Sequence, residues 1–252
     1  MILNLKKIDL VFNGADGKHI HILNGCEVPG CTSISGLFQD DGWKFAWPPK
    51  LMYEEIVKEG LKAIENNTGE GLGFEELEAI AAKAKNAWRR KRDKAADSGI
   101  IAHGYIERYI KTKKFENLEH ENAEVQNCFA QFVLWQDKTN PHWLASELQV
   151  GSETNNFAGI LDALAVIDRK LTLVDFKTSG GIKDEYAVQL AGLMICLEEM
   201  GCKPEQRAIL HLPKDGEYEY RVLDGNLEEE KKDFLAGLAF YRRKNLFKAR
   251  NK

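Results

Sequence analysis

The chain has 252 residues, 44% hydrophobic and 29% charged, and carries a net charge of −4 at neutral pH. This is length for one elaborated domain or two small ones, with the composition of an ordinary soluble protein. No apolar run approaches the ~18 residues of a membrane span, and the amino terminus lacks the order of a signal peptide, so a cytoplasmic protein without membrane contact is expected.

Residues 2–12 and 18–23 alternate like a small antiparallel pair. The turn-rich stretch from Val28 leads to Pro48-Pro49, which begin a helix running to about Asn66. Phe74 to Thr112 reads as mostly helical, with a break near Asp97 to Gly99. Within it, "KAKNAWRRKRDK" (Lys83 to Lys94) carries seven basic residues and one acid. A solvated helix face and a groove for a polyanion are level readings of that segment. Glu119 to Lys138 is a further helix, ended by "KTNP". Residues 144–177 hold three strands, "LASELQV" and the two arms of a hairpin. Asp184 to Met200 is a helix stopped by Gly201. "QRAILHL" and "YEYRVL" are strands, and a last helix spans Leu227 to about Lys248. Its end, Tyr241 to Lys252, has six basic residues and no acid, and reads as a solvated, frayed face.

Helices followed by β-β-β-α-β-β-α predict an α/β (α+β) fold in one domain. Residues 1–98 would be a strand pair and helical elaboration, and residues 99–252 a core with a central mixed sheet flanked by helices. Five cysteines without a CxxC pair argue against a disulfide framework and a zinc ribbon, and leave Cys196 and Cys202 as buried thiols.

The hairpin "GILDALAVIDRKLTLVDFKTS" (Gly159 to Ser179) places two carboxylates and an ammonium in an apolar setting. With Arg169-Lys170 as its turn, Asp168 faces Leu171, Asp162 faces Lys177, and Asp175 is the diagonal neighbour of Asp162 at about 7–8 Å. Period-two alternation then puts Asp162, Asp175 and Lys177 on one face, where two carboxylates can grip one divalent cation. A three-residue loop would move Asp162 to the other face unless a bulge corrected it. The alternative is a surface ion pair on an edge hairpin. Against it, Ala163, Ala165, Ile167, Val174 and Phe176 fill one face and Leu164, Val166, Leu171 and Leu173 the other, so both faces are covered.

"GILDALAVIDRKLTLVDFKTS" followed by "YAVQLAGL" resembles the PD-(D/E)xK nuclease superfamily. The similarity is to its RecB-like exonuclease branch, which includes the mitochondrial genome maintenance exonuclease and phage-encoded exonucleases. The branch pattern maps onto Gly159, Asp162, Asp175, Lys177, Thr178, Ser179, Tyr186 and Gln189. "AADSGIIAHGYIERYI" resembles its helix with a metal-binding histidine, here His103, and "VPGCTSISGLF" its early Thr/Ser segment. Leu161 stands where the motif has proline. Relatives with an iron–sulfur cluster use four cysteines, three of them after the core; only Cys202 follows it here, so no cluster is expected.

The resemblance implies a restriction-endonuclease-like core and a metal-dependent exonuclease acting on single-stranded DNA or DNA ends in recombination, repair or phage genome processing. If phage-encoded, it would work in the host cytoplasm, with a single-strand-binding or recombinase protein as a further partner. A structure-specific endonuclease of the same fold and a non-catalytic DNA-binding protein are the alternatives. Mg²⁺ or Mn²⁺ would be held by His103, Asp162, Asp175 and the Phe176 backbone carbonyl, with imidazole better suited to Mn²⁺. Lys177 would orient or deprotonate water and offset phosphate charge. Gln189 would hold a carboxylate or Lys177. Glu147 would serve a second ion or position water, or be a plain strand charge. DNA contacts would come from Lys85, Arg89, Arg90, Arg92, Thr178, Ser179 and Tyr186, with Trp88 as stacking platform or core residue.

Overall fold

The computed structural model describes residues 3, 5–13, 20–40, 42–66 and 72–250. It contains two compact units: Met1–Gln39 with Ile101–Lys252, and Asp40–Ile100.

In the first unit, β1 (Leu10–Asn13), β2 (Ile20–Leu23) and β3 (Cys26–Val28) form an antiparallel sheet, one strand more than the alternation predicted. The extra strand follows a tight turn at Asn24-Gly25, both with positive φ, as a two-residue hairpin turn requires. A short helix, α1 (Cys31–Ser35), and one 3-10 turn (Gly36–Phe38) occupy the segment expected to be irregular.

The second unit consists of α2 (Trp43–Asn66), α3 (Phe74–Lys85) and the first part of α4 (Ala87–Thr112). Pro48 and Pro49 fall inside α2 rather than at its start. The helical break lies at Asn86, between α3 and α4, and not at Asp97 to Gly99. Ser98 sits within α4 with its hydroxyl donated back to the Lys94 carbonyl at 3.2 Å. Beyond it, Ala102, Ile106 and Ile110 bury one stripe of the helix, and that burial outweighs the poor helix propensity of Ser98 and Gly99.

The first unit is built on a five-stranded sheet in the order β4 (His142–Ser152), β5 (Phe157–Ile167), β6 (Lys170–Lys177), β7 (Gln206–His211) and β8 (Glu219–Val222). Only β6 and β7 are parallel, joined through α6 (Glu185–Glu199). The fold is therefore a mixed α/β sheet flanked by helices. Leu164, Leu171, Leu173 and Ile209 pack with α6 and with Phe234 and Leu238 of α7 (Leu227–Arg250). On the opposite face, Ala163, Ala165, Val174, Phe176 and Leu210 pack with α4 and α5 (Ala123–Thr139). The two-sided apolar strands thus have the two-sided cover that they predict. Asn122 caps α5 by accepting from the Val125 amide at 3.1 Å, and Asn140 ends it in the left-handed region just before Pro141.

Two expectations about the hairpin are corrected. Its turn is Asp168-Arg169, both at positive φ, and Ile167 pairs with Lys170. The register is displaced by two residues, so Asp162 lies across from Asp175 rather than from Lys177. The carboxylates of Asp162 and Asp175 also do not share a face. Gly159 and Leu161 face α6, as does Leu164, whereas Ala163 and Ala165 face α4 and α5. The alternation of β5 therefore slips once, and Asp162 sits in the slip. Its neighbour on β4, Glu147, has φ +52, a conformation that rotates that strand at the same rung.

Candidate functional site

The slip gives the site its form. Asp162 is turned toward α4, where its Oδ1 lies 3.8 Å from His103 Nδ1. Its Oδ2 accepts the Phe176 backbone amide at 2.6 Å, so a side chain stands in for a ladder partner at this rung. In an extended strand the amide and carbonyl of one residue point the same way, so the Phe176 carbonyl is also directed toward β5. The Ser146 hydroxyl donates to the Asp162 carbonyl at 3.1 Å and ties β4 to the same point.

His103, Glu147 and Asp162 bring one imidazole nitrogen and two carboxylate oxygens within 4.8 Å of one another, and all three residues are half-buried. This N,O,O set fits one divalent ion, and the imidazole suits Mn²⁺ better than Mg²⁺. Burial, the Asp162 charge and the Glu107 charge push the Glu147 carboxyl up to about 7, against the pull of Lys111. A cation between these groups would relieve that strain.

Asp175 keeps the regular alternation and faces α6. It is 2% exposed. Burial pushes its carboxyl up to about 6, opposed by the Lys177 ammonium and reinforced by the Asp162 charge. Lys177 Nζ lies 2.8 Å from Asp175 Oδ2. Burial pulls the Lys177 pKa down, but the charges of Asp175 and Asp162 outweigh it and hold it above the ordinary lysine value. Gln189 bridges the pair: its Nε2 donates to Asp175 Oδ1 at 3.3 Å and its Oε1 accepts from Lys177 at 3.2 Å. The Tyr186 ring lies 4.6 Å from the same ammonium. The expected site residues of the core are therefore gathered at one end of the sheet, with Asp162 between a His103–Glu147 side and an Asp175–Lys177–Gln189 side.

The chain is similar to an alkaline exonuclease from Laribacter hongkongensis, with a TM-score of 0.32 and 18% identity over 61% of this chain and 84% of that one. The same enzyme in complex with dAMP gives a TM-score of 0.32 and 18% identity over 61% and 85%. A solved protein designated SSO0001 gives 0.30 and 10% over 57% and 74%. No family model and no curated protein matches the chain.

The basic residues expected to contact DNA belong to the second unit. Arg90 is engaged by Glu55 at 3.0 Å and by the Lys83 carbonyl at 2.8 Å, and Arg92 by Asp93 at 2.7 Å. Arg89 and Arg92 lie over the half-buried Trp88 ring at 5.4 and 5.2 Å, and Lys85 is exposed. Three of the segment's seven basic residues, Lys83, Arg90 and Arg92, pair with acids. Thr178 and Ser179 are half-buried in the loop after β6.

Cys31, Cys128, Cys196 and Cys202 are buried and Cys26 is exposed. Burial pushes the Cys128 thiol up to about 11, and Cys196 also upward with the Cys31 thiol as hydrogen-bond partner. No helix among the described residues is long and apolar enough to cross a membrane.

Proposed function

We propose that this protein is a metal-dependent nuclease that hydrolyses phosphodiester bonds in DNA, acting on single strands or ends. The observation that carries the reading is the His103–Glu147–Asp162 donor group, whose Asp162 lies on the hairpin that also holds the ion pair of half-buried Lys177 with Asp175. The sequence resemblance to the RecB-like branch supports attack at ends.

His103, Glu147 and Asp162 would hold the ion, with the Phe176 carbonyl as a further oxygen donor, while Asp175 on the α6 side pairs with Lys177. A divalent ion supplies Lewis acidity at the phosphoryl oxygen and acidifies water. The chain's own residues do the rest. The Lys177 ammonium offsets charge that builds on the phosphoryl oxygens as water attacks phosphorus and the ester P–O bond breaks. Gln189 holds that ammonium against Asp175, so it needs no reorganisation during the reaction. His103 and Asp162 would hold the ion from the α4 side.

The test is cleavage of end-labelled linear single-stranded DNA and of covalently closed circles, each with Mg²⁺, Mn²⁺ or chelator. Metal-dependent mononucleotides or short products from linear DNA alone are expected. Cut circles would make the enzyme an endonuclease, and no metal-dependent cleavage of either substrate would overturn the reading.

A further inference from the structure

Behind Lys177 lies a chain of contacts that begins at a residue carrying no motif. His211 is the last residue of β7, paired with Lys177 across the parallel ladder and 9% exposed. Its neighbours Leu210 and Leu212 face α4 and α5, so alternation sends the imidazole to the α6 side, where Tyr186 lies. His211 Nε2 is 2.6 Å from the Ser179 carbonyl oxygen. A carbonyl can only accept, so Nε2 carries the proton.

Ser179 continues the chain. Its hydroxyl donates to the Gly181 carbonyl at 3.1 Å and lies 2.8 Å from the Tyr186 hydroxyl. A serine hydroxyl has one proton, so Tyr186 is the donor in the second contact. The Tyr186 ring in turn rests against the Lys177 ammonium. The path runs from the imidazole to the Ser179 backbone, from the Ser179 hydroxyl to the tyrosine, and from its ring to the ammonium.

We propose that His211 is a positioning residue for Lys177, fixing the loop after β6 so that Tyr186 seats the ammonium beside Asp175. This rests on the nuclease reading of the site. Ser179 and Tyr186 then support Lys177 from beneath. His211 touches neither the donor group nor, in this role, the DNA. Its effect is on the turnover step and not on DNA affinity.

The test compares His211→Leu, which removes the donor, with His211→Gln, whose amide can donate from a similar reach. For His211→Leu, kcat is expected to fall about 10- to 100-fold, the range for a misplaced reacting group, while KM for DNA stays unchanged. His211→Gln recovers most of the loss. Tyr186→Phe, which breaks the link to Ser179, adds little to His211→Leu, because both act through one path.

A readout independent of activity accompanies these. In protein labelled with ¹³C-lysine, the Cε–Hε signal of Lys177, assigned by its loss in Lys177→Arg, is displaced by the magnetic anisotropy of the Tyr186 ring. That displacement collapses in His211→Leu and returns in His211→Gln. If the wild-type protein shows no metal-dependent cleavage, the nuclease reading fails and the lysine signal still decides the positioning role. A wild-type lysine signal in His211→Leu overturns the inference. So does a kcat equal to wild type in a protein that cleaves DNA, and so does His211→Gln as damaging as His211→Leu.

Discussion

Asp162→Asn separates what the donor group does for the fold from what it does for a cation. In the metal-free protein the Asp162 charge raises both Glu147 and Asp175, so it is repelled from two sides. Charges within 4.8 Å of each other repel by about 3 kcal/mol at an effective dielectric constant of ~20. Solvent screening of the partly exposed group and partial protonation of Glu147 reduce this to about 1 kcal/mol net. Asparagine keeps an oxygen for the Phe176 amide, which the aspartate now holds at 2.6 Å. The variant in chelator is therefore expected to be as stable as wild type, or up to about 1 kcal/mol more stable. Wild type in Mn²⁺ at 100 times its dissociation constant gains about 2.7 kcal/mol, a midpoint rise of about 5–10 °C for a chain of this size. The variant should gain almost none. Thermal unfolding in EDTA and across a Mn²⁺ series measures both. A loss above about 2 kcal/mol in chelator, or a full Mn²⁺ shift in the variant, would refute the reasoning.

Lys177→Met should cut cleavage by about 10²- to 10³-fold while the Mn²⁺-induced midpoint rise persists. The same variant leaves Asp175 buried without its ammonium, so its stability deficit at pH 8 should shrink toward pH 5 as that carboxyl protonates. Glu147 titrates near 7 folded against an ordinary 4.5, so between those values the folded, metal-free protein binds the extra proton. Its contribution to stability is fully present below pH 4.5 and lost as pH rises through about 7. Screening limits it to about 1–2 kcal/mol, and denaturant titrations of Glu147→Gln should show a flatter pH profile. Gly159→Ala would put a β-carbon 2.7 Å from Leu193 and 2.9 Å from the Cys31 sulfur. It should cost about 1–3 kcal/mol in urea unfolding and leave the Mn²⁺ response in place.

The order of elements in the core was legible because each has a clean period and a chemical stop, such as Asn140-Pro141 after α5 and Gly201, at φ +89, after α6. The meeting of Asp175, Lys177 and Gln189 was legible too, since the hairpin turn was misplaced by a single residue, which displaces the register by two and preserves side-chain parity along β6. The slip at Asp162 was not. Alternation is a rule for regular strands, and nothing in "GILDALAV" marks where it breaks. The signal that could have found it is Glu147, a charge between Ser146 and Leu148 on the adjoining strand. His211 escaped for another reason. Its partner is a backbone carbonyl, and backbone partners leave no trace in residue identity.

The bond from the Phe176 amide to the Asp162 carboxylate has a consequence for observing the protein. Along the same edge of β6, Thr172 and Val174 are paired with Ala165 and Ala163 of β5, and their amides report on the sheet. That of Phe176 is held by a carboxylate of the donor group, so its chemical shift and exchange rate follow the charge and occupancy of the site. A single backbone resonance thereby becomes an intrinsic gauge of cation loading, readable without substrate and without any label beyond nitrogen.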